Sequence, residues 1–205
     1  MNNVRLIITL IALCFVATLS LSETKDDLVE RNGLIYKKFT DVPFTGNVTG
    51  QWHGQFTDGK KDGEWKVYYD DGQLKTKGKY KEGNQHGMFE EYYESGQLYE
   101  KVNYINGKEE GRLETYRENG QLWNYYNFKD GKKHGLSEQF SKFAQTNAIQ
   151  FYDNDEPEGL WVFFYDNGKL KQKTNYINGK KDGLYELFNE KGLVRYQVMY
   201  ANGER

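Results

Sequence analysis

The chain reads GEWKVYYDDGQLKTKGKYKEG from Gly63 to Gly83, which is two short segments rich in aromatic residues joined at Asp71-Gly72. Glycine allows the positive φ that a tight hairpin needs, and aspartate tolerates the neighbouring left-handed position. A second turn signal, Glu82-Gly83, closes the stretch. The residues therefore predict a strand, a turn, a second strand and a second turn.

This pattern recurs with a strict period of 24 residues, led by Gly63, Gly87, Gly111, Gly135, Gly159 and Gly183. We count each leading glycine as repeat position 0. Aromatic residues return at positions 5 and 17, and position 11 is mostly leucine. A fixed period of this length indicates a repeat architecture. The predicted fold class is all-β, an antiparallel meander of β-hairpin repeats that forms one elongated twisted sheet.

The sequence divides into three predicted parts: a signal peptide over 1–22, an N-terminal cap with a degenerate repeat over 23–62, and six repeats over 63–205. In the first part Arg5 precedes an apolar stretch, and Ser20 and Ser22 place small residues before Glu23. We therefore expect an exported protein, periplasmic or associated with the cell envelope, with cleavage near Ser22-Glu23. An uncleaved membrane anchor is the alternative.

Composition excludes several functions. The formal net charge of the 205 residues is −2 and no basic run stands out, so nucleic acid is not an expected partner. Cys14, the only cysteine, lies inside the predicted signal, which leaves no disulfide for the mature chain.

No catalytic, metal or cofactor site is predicted. His86 and His134 share one variable repeat position and read as polar turn residues. An acidic column at repeat position 3 reads as a solvated ladder and not as paired catalytic carboxylates: Glu90, Glu114, Glu138 and Glu186. We therefore expect a non-enzymatic protein.

The turn geometry decides which residues share a face. A two-residue loop pairs position 6 with position 11, whereas a three-residue loop ending in glycine pairs position 5 with position 11. The second is favoured, because it places positions 5, 11 and 17 on one face as a core ladder. Positions 2 and 6 would then occupy the other face. A slip of one residue would invert the assignment.

The aromatic residues of positions 2 and 6 are the candidate partner-binding residues: Trp65, Tyr69, Phe89, Tyr93, Trp161, Tyr165 and Tyr185. Exposed aromatic rows suit a protein partner, sugar rings or lipid. The alternative is structural, namely that these rings only cover the second face of a single-layer sheet.

The fourth repeat, 135–158, departs from the pattern. Ala144 and Asp155 replace the two turn glycines, Ser137 the aromatic residue of position 2 and Thr146 the leucine of position 11. We expect this repeat to be the weakest unit and the most probable bend of the array. Because alanine is strained in the left-handed region, we also expect a different or longer first loop there.

Three segments carry a resemblance to a known family: Pro43-Phe44-Thr45-Gly46, the Gly63–Leu74 stretch, and Asn178-Gly179-Lys-Lys-Asp-Gly183. They resemble the MORN repeat variant, and the chain over about 31–205 resembles the YwqK-type antitoxin family. The resemblance implies an interaction module that neutralises a partner toxin by direct binding. A cell-envelope glycan- or lipid-binding module is the alternative function.

Overall fold

A computed structural model describes residues 22–205. The predicted signal peptide lies outside this range except for Ser22. A single 3₁₀ turn, Lys25–Asp27, interrupts the described strands. Within this part of the chain, no helix has the length and apolar character that crossing a membrane requires.

The strands are short and follow one another closely. Their bounds are β1 Glu23–Thr24, β2 Leu28–Arg31, β3 Leu34–Lys37, β4 Gly46–Thr49, β5 Trp52–Thr57, β6 Lys60–Tyr68, β7 Leu74–Lys81, β8 Asn84–Gln85, β9 Gly87–Tyr92, β10 Leu98–Ile105, β11 Lys108–Tyr116, β12 Leu122–Lys129, β13 Lys132–Lys133, β14 Gly135–Phe140, β15 Thr146–Asp153, β16 Glu156–Pro157, β17 Gly159–Phe164, β18 Leu170–Ile177, β19 Lys180–Lys181, β20 Gly183–Phe188 and β21 Val194–Tyr200.

From β4 to β21 the strands pair in chain order, each antiparallel to its neighbours, and β1 adds to β4 in parallel. The separate β2–β3 hairpin docks at the N-terminal end, where the Ile35 amide donates to the Gly59 carbonyl at 2.9 Å. Its Leu28 joins Val48, Phe56 and Trp65 in the buried cluster of this end. The structure confirms the all-β prediction of one long, mostly antiparallel sheet of hairpin strands.

Both predicted turns are present. In the second turn Asn106 and Gly107 have φ values of 51° and 80°, the pair of positive angles that defines a type I′ hairpin. In the first turn Gly96 has φ 81°, and Tyr92 pairs directly with Leu98. Position 5 therefore faces position 11, which confirms the three-residue loop.

A bulge follows this pair and changes the faces. Tyr92 pairs with Leu98, but the next pair is Glu91 with Glu100, so Tyr99 is an extra residue on its strand. One extra residue reverses the alternation of side chains beyond it. The prediction that positions 5, 11 and 17 share one face is therefore wrong for position 17, which lies on the face of position 2.

The leading glycines lie in a second bulge. Gly87 has φ 83°, and the register shifts there: Tyr80 pairs with Gln85, whereas Lys77 pairs with Glu90. A side chain is disfavoured at this angle, which accounts for glycine at position 0 in every repeat. The period thus contains two turns and two bulges.

The fourth repeat keeps the common loop. Phe140 pairs with Thr146, and the Ala144 amide donates to the Ser141 carbonyl at 3.0 Å, as Gly96 does to Tyr93 at 2.9 Å. Ala144 itself has φ 58°. The expectation of a different or longer loop is wrong, because the neighbouring strands hold the alanine in the left-handed region.

Candidate interaction surface

One face of the sheet, which we call the inner face, carries repeat positions 2, 4, 13, 15 and 17. It holds most of the buried apolar residues of the array: Trp65 and Val102 are each 2% exposed, Leu113 is 8% exposed and Ala148 is 1% exposed. The core therefore lies on the face of positions 2 and 17. Positions 5 and 11, the predicted core columns, lie on the opposite face, which we call the outer face.

An aromatic ladder runs along the N-terminal half of the inner face. Successive ring centroids are 4.8 Å apart for Phe56–Trp65, 6.1 Å for Trp65–Tyr80, 5.3 Å for Tyr80–Phe89 and 5.2 Å for Phe89–Tyr104. All four contacts are edge-to-face, the arrangement that the ring quadrupole favours. Each ring is thus held by rings of the strands beside it.

The ladder resumes in the C-terminal half, with centroid distances of 5.1 Å for Tyr152–Trp161, 4.9 Å for Trp161–Tyr176 and 6.1 Å for Tyr185–Tyr200. Between the two halves, position 2 holds Leu113 and then Ser137. Ser137 is 1% exposed, and its hydroxyl has no hydrogen-bond partner in residues 22–205. The centre of the inner face is therefore more polar than its ends.

The position 2 residues are not the freely exposed row that the binding interpretation assumed; their burial is what the structural alternative expected. Trp65 is buried, and its indole N–H donates to the Gln55 carbonyl at 3.1 Å. Phe89, Trp161 and Tyr185 are half-buried within the ladder. The two bulges are the physical reason, because they bring positions 2 and 17 together.

The position 6 tyrosines join consecutive repeats. The hydroxyls of Tyr69, Tyr93 and Tyr165 donate to main-chain carbonyls 23 residues further on, at 2.7, 2.8 and 2.8 Å. Arg117 makes the same link to the Phe140 carbonyl at 2.8 Å. Burial raises the pKa of the Tyr93 hydroxyl above its ordinary value. In the sequence, this link shows only as a long hydrogen-bond donor, tyrosine or arginine, that recurs at position 6. A search for apolar periodicity does not detect it.

Lysines lie over the rings of the inner face at repeat position 22. The Lys61 ammonium is 4.7 Å from the Trp65 ring centroid and 4.9 Å from that of Tyr80. Burial lowers the pKa of Lys61. Lys133 lies 5.3 Å from the Tyr152 ring, and Lys181 4.6 Å from the Tyr185 ring. These are cation–π contacts, made by charges that the chain itself supplies.

Three carboxylates interrupt this pattern. Glu91 and Glu100 pair directly across β9 and β10, and Glu109 pairs with Tyr104 across β10 and β11. Burial, with the charges of Glu91 and Glu109, raises the pKa of the Glu100 carboxyl. Burial, followed by the charge of Asp155, raises that of Glu109. In residues 22–205 none of the three forms an ion pair with a basic side chain.

The outer face carries the position 3 carboxylates, which form ion pairs and not a solvated ladder. The nitrogen–oxygen distance is 2.6 Å in each of three pairs: Lys77–Glu90, Lys101–Glu114 and Lys173–Glu186. The Glu186 side chain is only 10% exposed. Glu138 instead faces Tyr125. The prediction of solvation is therefore wrong, because each lysine comes from position 14 of the strand opposite.

Two histidines lie beside the second turns, as the sequence indicated. His134 Nδ1 is 3.1 Å from Asp153, and the His86 amide donates to the Lys79 carbonyl. Among residues 22–205, no group of histidine, cysteine and acidic side chains has an arrangement that could hold a metal ion.

Fold and surface together define a hairpin-repeat protein that presents a mainly aromatic face, interrupted at its centre by Leu113 and Ser137. Four segments match the family model of the MORN repeat variant, at residues 61–82, 85–106, 109–130 and 157–178. These four units are therefore similar to MORN repeat variants, and the matched segments leave out the divergent fourth repeat and the sixth. Such repeats are generally non-enzymatic and generally mediate protein or membrane interactions.

Comparison of the whole chain with curated proteins and solved structures gives no further indication of function. No curated protein matches the chain. Similar solved structures include TarM of S. aureus in complex with Fondaparinux, alpha-GlcNAc-glycerol and UDP, with 15% identity over 47% of this chain and 19% of that chain, and a TM-score of 0.32. Another is the GtfA/B complex bound to UDP and GlcNAc, with 12% identity over 74% of this chain and 29% of that one, and a TM-score of 0.25. This chain spans less than a third of either structure, and these TM-scores support no functional argument.

Proposed function

We propose that this chain is an exported, non-enzymatic repeat protein that binds a partner protein along its inner face. The observation that carries the proposal is the half-buried aromatic ladder, which no second layer covers within residues 22–205. Edge-to-face contacts, and tilted ones around Trp161, hold the rings in place, so little side-chain entropy is lost when a partner packs on them. Aromatic residues held in this way are typical of the hot spots of protein interfaces.

Of the seven candidate residues, Phe89, Trp161 and Tyr185 fit this role directly. Trp65 lies too deep for contact and supports the ladder from within. The position 6 tyrosines support the binding face indirectly, because their hydrogen bonds keep consecutive repeats in register. Partner contact along the inner face thus depends on two sets of aromatic residues with different tasks.

The finer proposal is that the partner is a toxin, neutralised by direct binding as the resemblance to the YwqK-type antitoxin family implies. Export favours an immunity-like role outside the cytoplasm. Expression of the captured partner alone should arrest growth, and co-expression with this chain should restore it. A partner that is harmless when expressed alone would contradict the toxin assignment without affecting the binding face.

Photo-crosslinking with matched positions tests the binding face. Phe89 and Met88 are neighbours on opposite faces, and Met88 is 52% exposed. A photoreactive phenylalanine at position 89 should form a protein adduct in the native host, whereas the same group at position 88 should form none. An adduct at position 88 alone would overturn the choice of face. A carbohydrate or lipid adduct at position 89 would replace the protein partner with an envelope ligand.

A further inference from the structure

On the inner face, lysine ammonium groups recur at one place relative to the aromatic rings. A lysine at position 22 of one repeat lies over the aromatic rings of the next repeat. Lys61 covers Trp65 and Tyr80, and Lys181 covers Tyr185 and Tyr200 at 4.6 and 5.2 Å. The ring pair at positions 2 and 17 is thus a cation site whenever position 22 supplies the ammonium.

The rings of Phe89 and Tyr104 form the same kind of pair, with centroids 5.2 Å apart. Position 22 of the preceding repeat is Gln85, an uncharged residue. No lysine or arginine of residues 22–205 lies over either ring in a cation–π contact. This pair therefore has the geometry of the site but no cation from its own chain.

Carboxylates surround this pair of rings. Glu91 and Glu100 face each other across neighbouring strands on the inner face, and Glu109 faces Tyr104. Like charges placed directly opposite one another destabilise a sheet, and here no ion pair within the described residues offsets them. By contrast, Trp161 and Tyr176, whose preceding position 22 is Pro157, have Phe163 and Gln172 at the equivalent places. The acidic surroundings are therefore particular to the Phe89–Tyr104 pair.

A buried hydroxyl completes the arrangement. Thr115 pairs with Glu100 on its other side, is 7% exposed, and its hydroxyl oxygen has no hydrogen-bond partner within residues 22–205. A buried polar atom without a partner is costly, and it points to a group that the protein does not supply. At the ring pair itself lies a cavity of about 150 Å³, whose lining includes Phe89, Tyr104 and Glu100.

We propose that the rings of Phe89 and Tyr104, with the carboxylates of Glu91, Glu100 and Glu109, form a cradle for a lysine side chain of the partner protein. This inference rests on the proposed function, since it names the group that the partner inserts into the inner face. The ammonium would lie over the rings, as Lys61 does over Trp65, and would donate to the carboxylates and to the Thr115 oxygen. Lysine is favoured as the source because lysine covers two of the other three ring pairs of positions 2 and 17, namely Trp65–Tyr80 and Tyr185–Tyr200.

The test uses Nα-acetyl-lysine amide as the probe and NMR chemical shifts of the protein as the readout. The probe should shift the amide signals of residues 89–104 and of Thr115 in a saturable way. Acetylation of its side-chain amine removes the charge and should abolish these shifts. Equal binding by the acetylated probe would overturn the cradle. Spermidine that binds at least tenfold more tightly than the lysine probe would overturn the assignment to a protein side chain.

Three variants sharpen the test. Glu100→Gln removes one charge with almost no change of shape and should weaken the probe at least tenfold. Gln85→Lys places a lysine where three other repeats have one, and it should both abolish probe binding and raise the melting temperature. Glu118→Gln, in an exposed turn, is the matched control and should leave binding unchanged. Unchanged affinity in both Glu100→Gln and Gln85→Lys would overturn the proposal.

The crosslinking experiment tests the partner-binding face and the probe experiment tests the cradle, so a negative result in one does not imply a negative result in the other. A protein adduct at position 89 without probe binding would leave the partner face standing and remove the cradle. Probe binding without any protein adduct would leave a site for free alkylammonium ions and remove the protein partner, and with it the lysine of that partner.

Discussion

The hydroxyl of Tyr93 donates a 2.8 Å hydrogen bond to the main-chain carbonyl of Tyr116, one repeat further along the sheet. The two residues lie on the loop sides of consecutive hairpins, so the bond ties one hairpin to the next. Tyr69 and Tyr165 make the same bond in their own repeats. The spacing of the hairpins is thus fixed by side chains as well as by the backbone ladder.

Removal of this hydroxyl should loosen the array. We expect Tyr93→Phe to lower the free energy of unfolding by about 1 kcal/mol, the net contribution of one hydrogen bond of this kind. Urea denaturation measures the change. The control is Tyr99→Phe: its ring packs against Tyr93 with centroids 5.1 Å apart, but its hydroxyl makes no hydrogen bond within the described residues. Equal losses in the two variants would show that the link has no energetic weight.

Ala144 occupies a glycine position at φ 58°. A left-handed conformation costs a residue with a Cβ about 1–2 kcal/mol, so Ala144→Gly should raise the free energy of unfolding by about 1 kcal/mol without changing the loop. Gly120→Ala, the same exchange in reverse one repeat earlier, should lower it by a similar amount. A destabilised Ala144→Gly protein would show that the alanine is not strained.

The fourth repeat should open more readily than its neighbours. Its Ser141 hydroxyl accepts from the Phe143 and Gln145 amides, so it makes no link to the next repeat, and Ser137 interrupts the aromatic ladder. Amide hydrogen exchange over 135–158 should therefore be faster than over 111–134. Uniform protection across both repeats would refute this prediction.

The charge of Glu100 should oppose folding at neutral pH. Burial raises its pKa, so the folded state binds the proton more tightly than the unfolded state does. The penalty is present above the folded-state pKa and disappears as the pH falls through it. Glu100→Gln should therefore raise the melting temperature at neutral pH, and the gain should shrink toward roughly pH 4. Melting curves recorded across this pH range measure the effect, with Glu118→Gln as the reference variant. A rise in melting temperature that does not depend on pH would contradict the titration of a carboxylate at this position.

The predicted export signal is tested by mass. Native protein purified from its host should begin at or near Glu23, as the order of basic, apolar and small residues in 1–22 predicts. Intact mass spectrometry gives the answer directly. A soluble cytoplasmic protein that retains residues 1–22 would contradict both cleavage and export.

Much of the fold follows from the sequence because glycine and its partner residue mark each turn. The pairing of Tyr92 with Leu98 and the type I′ turn at Asn106-Gly107 were both predictable from residues alone. The face assignment was not, because Tyr99 bulges while looking like an ordinary strand residue. A register error of one residue then exchanges the core and the solvent face, which is how Trp65 came to be predicted as exposed.

The candidate site was harder to predict for a different reason. A search for a period finds what the repeats share, whereas Glu91 and Glu100 occupy positions 4 and 13, which differ from repeat to repeat, and Gln85 stands where three other repeats have lysine. Each has an ordinary polar neighbourhood in the sequence, and only the bulged register brings the first two face to face. In a repeat protein, the specificity for a partner therefore depends on the positions that differ between repeats, which a consensus sequence leaves out.

From β4 to β21, each strand pairs only with strands close to it in the chain. Such an array needs no distant segment to complete a unit, so its order of assembly is free to follow the order of synthesis or translocation. Each hairpin that emerges meets an edge already formed and extends it by two strands. The polypeptide can therefore fold from its N-terminal end as it emerges, one hairpin after another.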